Sequence, residues 1–151
     1  MDDSKYELLH LEHQLCFPLY ACSREIIKLY KPVLDRIDLT YTQYITMLLL
    51  WQHHSLTAKE LGDYLHLDSG TLTPLLKKLE VKGLLTRKRA AMDERSLIVT
   101  LTEAGAQLRE KALCIPEEMD GIALLTPEER TQLHQLLYKL LDRCEALTPH
   151  K

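Results

Sequence analysis

Apolar residues crowd the first 35 positions of the chain. From Lys5 to about Asp35 they follow a helical period more closely than a strand period, and they occupy more than one side of that helix. A helix with two apolar faces needs two burial surfaces, its own core and a second subunit. Pro18 lies inside this run, and because proline has no backbone donor it should kink the helix or move its start.

The next stretch predicts three shorter helices in quick succession. One opens at Thr40 or Thr42 and is broken at 53–55. Another opens at Thr57, where Glu60 stands three residues later in capping-box spacing. The third opens near 68–69 and contains Pro74, close enough to its first turns to be tolerated.

A charged hairpin follows the third of these helices. After Gly83, residues 84–89 and 96–102 predict two short strands, joined by a tip at 90–95. A helix-turn-helix followed by a basic hairpin is the outline of a winged helix, which puts one helix in the major groove and a loop against the backbone or minor groove. This pattern favours a DNA-binding protein over an enzyme.

Two helices complete the chain. One runs from 102–105 to about Ile115, where Pro116 should bend or end it, and the other opens with the capping pattern Thr126-Pro127-Glu128-Glu129. The last helix carries an amphipathic stripe, predicted to be one buried face: Leu133, Leu136, Leu137, Leu140, Leu141 and Cys144.

The predicted fold class is mainly α with a small β-hairpin wing. We expect a single domain over 1–151, with a winged-helix lobe at about 40–102 and dimerisation helices at about 5–36 and 103–147. The excess of apolar surface on the terminal helices predicts a homodimer. Two-fold symmetry would then present two recognition helices to a pseudo-palindromic site in double-stranded DNA.

Charge is distributed unevenly along the 151 residues. The net charge is −3, but residues 69–96 hold seven Lys or Arg against three acidic residues, so this segment carries +4 and the remainder −7. A basic surface on an acidic body confines attraction for DNA to one face. No run of about 18 apolar residues and no signal-peptide pattern is visible, so we expect a cytoplasmic protein without membrane contact.

The four cysteines are widely spaced and lack the CxxC spacing of a zinc site, so no cofactor or metal is predicted. Glu7, His10 and His13 recur at three-residue spacing and could hold zinc, although a solvated N-terminal turn explains them as well.

Two motifs, one in the wing and one at the start of the helix that follows it, resemble the MarR family of winged-helix regulators. They are Asp93-x-Arg95 and Leu101-Thr102-x-x-Gly105. The resemblance implies that Arg95 enters the minor groove, where a narrow A·T-rich groove attracts a guanidinium, and that Asp93 helps to hold it. The residues predicted to contact or support DNA are Ser69, Thr71, Thr73, Lys77, Lys78, Arg87, Arg89, Asp93 and Arg95.

Three longer strings are similar to the OhrR-like organic hydroperoxide sensors and their staphylococcal redox-sensing relatives. They are Leu15-Cys16-Phe17, Leu39-Thr40-Tyr41-x-Gln43-Tyr44 and the run from Leu67 to Lys77. The resemblance implies that Cys16 is the peroxide-reactive thiol. It also implies that Tyr30 and Tyr41 donate hydrogen bonds to its sulfur, which favours the thiolate, and that Phe17 and Tyr20 line the pocket.

The function implied by this resemblance is a regulator, expected to be a repressor, that releases operator DNA when an organic hydroperoxide oxidises Cys16. Either a small cellular thiol or a distal cysteine could trap the product, and we favour the first. The alternative is a regulator released by a small aromatic ligand. A thiol peroxidase is disfavoured because no Arg or Thr is placed beside Cys16 for that chemistry.

Overall fold

The computed structural model describes residues 3–122 and 124–148. The helices and strands are α1 (Cys16–Asp35), α2 (Tyr41–His53), β1 (Ser55–Thr57), α3 (Ala58–Leu65), α4 (Ser69–Val81), β2 (Leu85–Arg89), β3 (Leu97–Leu101), α5 (Glu103–Ala112), α6 (Cys114–Gly121) and α7 (Pro127–Leu147). Contacts group into two units, Met1–Met119 and Asp120–Lys151. No helix among the described residues is long and apolar enough to cross a membrane. The mainly helical winged-helix fold class is confirmed.

The first helix begins later than the sequence pattern predicts. Two 3₁₀ segments, Asp3–Leu9 and Leu11–His13, precede α1, which starts at Cys16. Pro18 then falls in the first turn, where a missing backbone donor costs no intrahelical hydrogen bond. The prediction that Pro18 would move the helix start is therefore confirmed, and the prediction of a helix from Lys5 is wrong.

Local capping signals placed most other helix starts correctly. Capping boxes pair Thr40 with Gln43 before α2, Thr57 with Glu60 before α3, and Thr126 with Glu129 before α7.

Pro116 has the opposite effect to the one expected. The helix α5 ends at Ala112, and Pro116 lies in the first turn of the separate helix α6. Proline is tolerated there because the first turn's donors lack partners within the helix.

The sheet has one strand more than the predicted hairpin. Its order is β1-β3-β2, and both pairings are antiparallel. In register, Leu56 lies opposite Val99 in one pairing, and Arg87 lies opposite Val99 in the other. The strand β1 is three residues long, too short to show the period-two alternation that reveals a strand in a sequence.

A compact junction joins α4 to β2 and α5. Gly83 has a φ of 74°, its amide donates to the Glu80 carbonyl, and the Leu84 amide donates to the Leu79 carbonyl, which together form a Schellman motif. Thr102 caps α5, and its hydroxyl also donates to the Gly83 carbonyl at 2.6 Å. These bonds fix the direction in which the hairpin leaves the recognition helix.

The core of the first unit lies between the helices of the winged-helix lobe and its sheet. Side chains that are almost wholly buried include Leu34, Met47, Leu50, Leu61, Leu76, Leu79, Leu85, Val99 and Ile115. The stripe on α7 differs: Leu133, Leu136, Leu137, Leu140 and Leu141 are exposed in this single chain. The prediction that they form a buried face is not met within one chain.

Gly105 provides a test of the junction. A Cβ at this position would lie 2.1 Å from the Leu84 carbonyl oxygen, which belongs to rigid backbone. Gly105→Ala should therefore destabilise the protein by about 1–3 kcal/mol, measured by urea unfolding. Gly121→Ala is the control because nothing lies within 4 Å of its Cβ position. Equal stability of the two variants would contradict this packing.

Candidate functional site

The exposed half of α4 carries the predicted base- and phosphate-contacting residues. The helix buries Leu72, Leu75, Leu76 and Leu79 against the core. Its opposite side exposes Ser69, Thr71, Thr73, Lys77 and Lys78 to solvent. Asp68 caps the helix by accepting a hydrogen bond from the Thr71 amide at 2.8 Å. Hydroxyl groups near the start of a helix and ammonium groups further along suit base edges and phosphates respectively.

The wing tip is held by its own backbone. The Ala90 amide donates to the Ser96 carbonyl at 2.8 Å and closes the hairpin. A carboxylate oxygen of Asp93 accepts from the Arg95 amide at 3.0 Å, so Asp93 orders the turn through the Arg95 backbone. Arg89 donates to the Glu94 carbonyl at 2.6 Å. The Arg95 side chain is exposed at the end of this ordered turn.

Arg87 differs from the other predicted DNA-binding residues. Its Nε and Nη2 donate to Glu80 Oε2 at 3.0 and 2.8 Å, and its amide donates to Oε1 at 3.0 Å. The Arg87 side chain is 18% exposed. The hydrogen bonds from its guanidinium, and next from its amide, lower the pKa of Glu80. We therefore reassign Arg87 from DNA contact to anchoring the wing on α4, a role that nothing in the sequence signalled.

The reactive thiol predicted from the sequence lies at the N-terminus of α1. Cys16 is the first residue of the helix and is exposed, as is Phe17 beside it. Tyr20 stands one turn later, and Arg24 donates to its hydroxyl at 3.3 Å.

The two predicted sulfur-binding phenols meet where α1 contacts α2. The rings of Tyr30 and Tyr41 pack edge to face with centroids 5.0 Å apart, and Tyr44 lies 6.2 Å from Tyr30. Burial, and next the nearby Tyr30, raises the pKa of Tyr41. Both predicted phenols are half-buried. Near neutral pH, Tyr41 therefore keeps its proton and remains a hydrogen-bond donor.

The structure does not bring Cys16 and these phenols together within one chain. Cys16 and Tyr30 are 14 residues apart on the same continuous helix, which corresponds to about 21 Å of rise. Neither side chain can bridge that distance, and Tyr41 lies with Tyr30 at the far end. A sensor site built from all three residues therefore needs two chains.

A small cavity adjoins the phenol pair. It has a volume of about 250 Å³, with an apolar surface and two lysines at its edge. It is lined by Ile27, Lys28, Lys31, Leu34, Asp35, Leu39, Thr40 and Tyr41. Its composition suits a ligand that is mostly hydrocarbon.

The remaining cysteines are free and exposed. Cys22 lies on α1 six residues from Cys16, about 9 Å along the helix and too far for a disulfide. Cys114 lies near the Arg36 guanidinium, with Nη2 4.0 Å from its sulfur, and Arg36 pairs with Glu118.

Across residues 3–122 and 124–148, no cluster of His, Cys, Asp and Glu is arranged to hold a metal ion. The His13 ring instead bonds the Glu7 carbonyl at 2.7 Å and stacks on His10. The zinc alternative is not supported in this part of the chain.

Comparison with known proteins gives consistent matches over most of the chain. A family model for the transcriptional regulator SarA/Rot matches residues 28–112. The organic hydroperoxide resistance transcriptional regulator of Bacillus subtilis (strain 168) is 52% identical over 140 residues, covering 93% of this chain and 95% of that protein.

Solved structures of AbfR from Staphylococcus epidermidis show the same fold. Reduced AbfR bound to DNA has a TM-score of 0.73 and 36% identity, and the match covers 93% of this chain and 98% of that chain. Overoxidised AbfR bound to DNA has a TM-score of 0.72 and 36% identity, with coverage of 91% and 98%.

The Glu80–Arg87 pair predicts a pH-dependent contribution to stability. Because the Glu80 pKa is lowered on folding, the stabilisation is complete above the unfolded value, about 4.3, and is lost as pH falls through the lower folded value. In urea unfolding, the advantage of wild type over Glu80→Gln should be largest near pH 7 and should shrink below about pH 4. Glu110→Gln, at an exposed position of α5, is the charge-matched control. A constant difference for Glu80→Gln between pH 7 and pH 3 would contradict the pairing.

Proposed function

Since this chain belongs to the SarA/Rot family of transcriptional regulators, we propose that it is a redox-sensing DNA-binding repressor that releases its operator when an organic hydroperoxide oxidises Cys16. The MarR-type resemblance and its OhrR-like branch, stated from the sequence, are confirmed by the relatives. Those relatives are transcriptional regulators, and we propose that this protein likewise acts by binding DNA and not as an enzyme.

The DNA-binding half of the proposal depends on the exposed face of α4 and on Arg95. The helix offers hydroxyl and ammonium groups to a major groove, while the ordered wing tip presents a guanidinium to the adjacent minor groove. The solved AbfR structures with DNA support this assignment. Ser69, Thr71 and Thr73 would contact bases or nearby phosphates, and Lys77, Lys78 and Arg89 would contact phosphates.

A homodimer completes the proposed sensor. The separation of Cys16 from Tyr30 by about 21 Å along α1 is the observation that carries this step. If two copies of α1 cross in opposite directions about a two-fold axis, Cys16 of one subunit meets the phenols of the other. The exposed apolar residues at the start of α1, Leu15 and Phe17 among them, would be covered by the partner.

Peroxide chemistry at this site requires a thiolate and a hydroperoxide. The Cys16 thiolate attacks the terminal peroxide oxygen, the O–O bond breaks, and the leaving alkoxide takes a proton from water, so that the products are a cysteine sulfenic acid and an alcohol. The sulfenic acid then condenses with a small cellular thiol, which releases water, or a second hydroperoxide oxidises it further. The larger sulfur group loses its hydrogen bonds from Tyr30 and Tyr41, and the helices carrying these phenols move.

Release of DNA follows from the two-fold geometry. Two docked lobes must match the spacing of the half-sites, so a small displacement of each recognition helix weakens both contacts together. A change of a few kcal/mol in the equilibrium between the two conformations is enough to alter operator occupancy by orders of magnitude.

The cavity beside Tyr41 supports one alternative function, in which a small aromatic ligand releases the protein from DNA. Its apolar walls, with Lys28 and Lys31 nearby, could hold either the hydrocarbon part of a hydroperoxide or a small aromatic acid. Release of DNA by an aromatic acid under fully reducing conditions would support the ligand-binding function. Release of DNA that requires an oxidant would support redox sensing.

Cys16→Ser tests the sensor. Operator binding by the reduced variant should match wild type, and cumene hydroperoxide should release only the wild-type protein, because serine forms no sulfenic acid. DNA footprinting, with mass spectrometry of the treated protein, provides the measurement. Cys22→Ser, on the same helix, is the matched control and should respond like wild type. Normal release of the Cys16→Ser protein would exclude this thiol as the sensor.

Arg95→Ala and Lys77→Ala separate the contributions of the wing and the helix. Removing a guanidinium from the minor groove should weaken operator binding by about 1–3 kcal/mol. Removing a phosphate contact at Lys77 should instead reduce the slope of log affinity against log salt by about 1. Fluorescence anisotropy over a salt series measures both quantities. Unchanged affinity for Arg95→Ala would remove the wing from the interface.

A further inference from the structure

Lys82 makes contacts that no DNA-binding role explains. It is the C-cap residue of α4, directly after Val81. It pairs with the Asp38 carboxylate at 3.1 Å, donates to the Asp38 carbonyl, and donates to Gln43 Oε1 at 3.3 Å. Its side chain is 28% exposed. Lys82 therefore joins the end of α4 to the corner between α1 and α2.

Gln43 fixes the other side of this link. The side chain is almost wholly buried, and its oxygen also accepts from the Thr40 amide at 3.1 Å in the capping box of α2. The Thr40 amide and the Lys82 ammonium are both donors only, so the oxygen and not the amide nitrogen must face them. One buried oxygen thus holds the start of α2 and the end of α4 together.

The corner itself has little freedom to absorb movement. Asp38 has a φ of 53°, a left-handed conformation that few residues other than glycine, asparagine and aspartate adopt readily. The Leu39 amide donates to the Leu34 carbonyl and closes the turn at the end of α1. Tyr41 is the first residue of α2, and it directly follows Thr40, whose amide donates to the same Gln43 oxygen as Lys82.

We propose that Lys82 is a positioning residue that couples the conformation of the Tyr41 corner to the placement of the recognition helix α4. This inference rests on the proposed function, because it assigns the route by which a change near the sensor phenols alters DNA binding. Without Lys82, the sensor residues and the DNA-binding face of α4 remain in place, but the contact that joins α4 to the corner is lost. A variant without Lys82 keeps the exposed DNA-binding face of α4 and the Cys16 thiol, but its operator affinity changes less on oxidation.

The test compares operator affinity before and after stoichiometric cumene hydroperoxide for wild type, Lys82→Met and Lys82→Arg. Methionine keeps much of the side-chain length and removes the charge. We expect the ratio of oxidised to reduced Kd to fall about tenfold in Lys82→Met, within the usual range of coupling between sites. Lys82→Arg, which keeps the charge, should retain most of the wild-type ratio. The salt slope of the reduced Lys82→Met protein should match wild type.

Controls separate this role from simple loss of stability or of a phosphate contact. Lys111→Met, at an exposed position of α5, carries the same charge change and should keep the wild-type ratio. Asp38→Asn removes the partner carboxylate, tolerates the left-handed backbone, and should reproduce part of the Lys82→Met effect. A salt slope lower by about 1 in Lys82→Met would show a phosphate contact and overturn the proposal, as would a full redox response.

A second measurement is independent of DNA and peroxide. Amide hydrogen exchange in Lys82→Met should increase both at the last turn of α4 and at the first turn of α2, since one shared contact is lost. Unchanged exchange at α2 would overturn the link. If wild type itself fails to bind DNA or to respond to peroxide, the proposed function fails, while the exchange experiment still decides whether Lys82 joins the two helices.

Discussion

The length and stiffness of α1 is the constraint on which the sensor depends. A continuous helix holds Cys16 at one end and Tyr30 at the other, and a hydrogen-bonded helix cannot shorten to bring them together. One chain therefore contains all the predicted sensor residues but does not bring them together, and the proposed site needs a second chain. The exposed apolar side chains near Cys16 fit the same proposal, because a surface covered by a second subunit would be left uncovered in one.

The recognition helix α4 is held most firmly at its C-terminal end. Glu80 ties it to the wing through Arg87, Gly83 and Thr102 join it to α5, and Lys82 joins it to the corner between α1 and α2. The opposite side of the helix stays exposed for DNA. These contacts connect the helix to the wing, to α5 and to the corner, which is the arrangement that the proposed coupling requires.

The chemistry of the site follows from partial burial. Tyr41 and Tyr30 lie in contact and half-buried beside an apolar cavity, and burial raises the pKa of Tyr41. A phenol that keeps its proton can donate to a sulfur anion, whereas hydrocarbon walls favour a substrate with an organic group. The combination suits organic hydroperoxides better than hydrogen peroxide, which has no apolar part to bury.

The sequence by itself determined the features that depend on neighbours along the chain. Capping at Thr57 and Glu60 set a helix start because both partners lie within one turn, and the hairpin and winged-helix class followed from similar local signals. Tertiary structure decided the rest. It assigned Arg87 to Glu80 and added the three-residue strand β1, because both depend on distances in space that residue spacing does not encode.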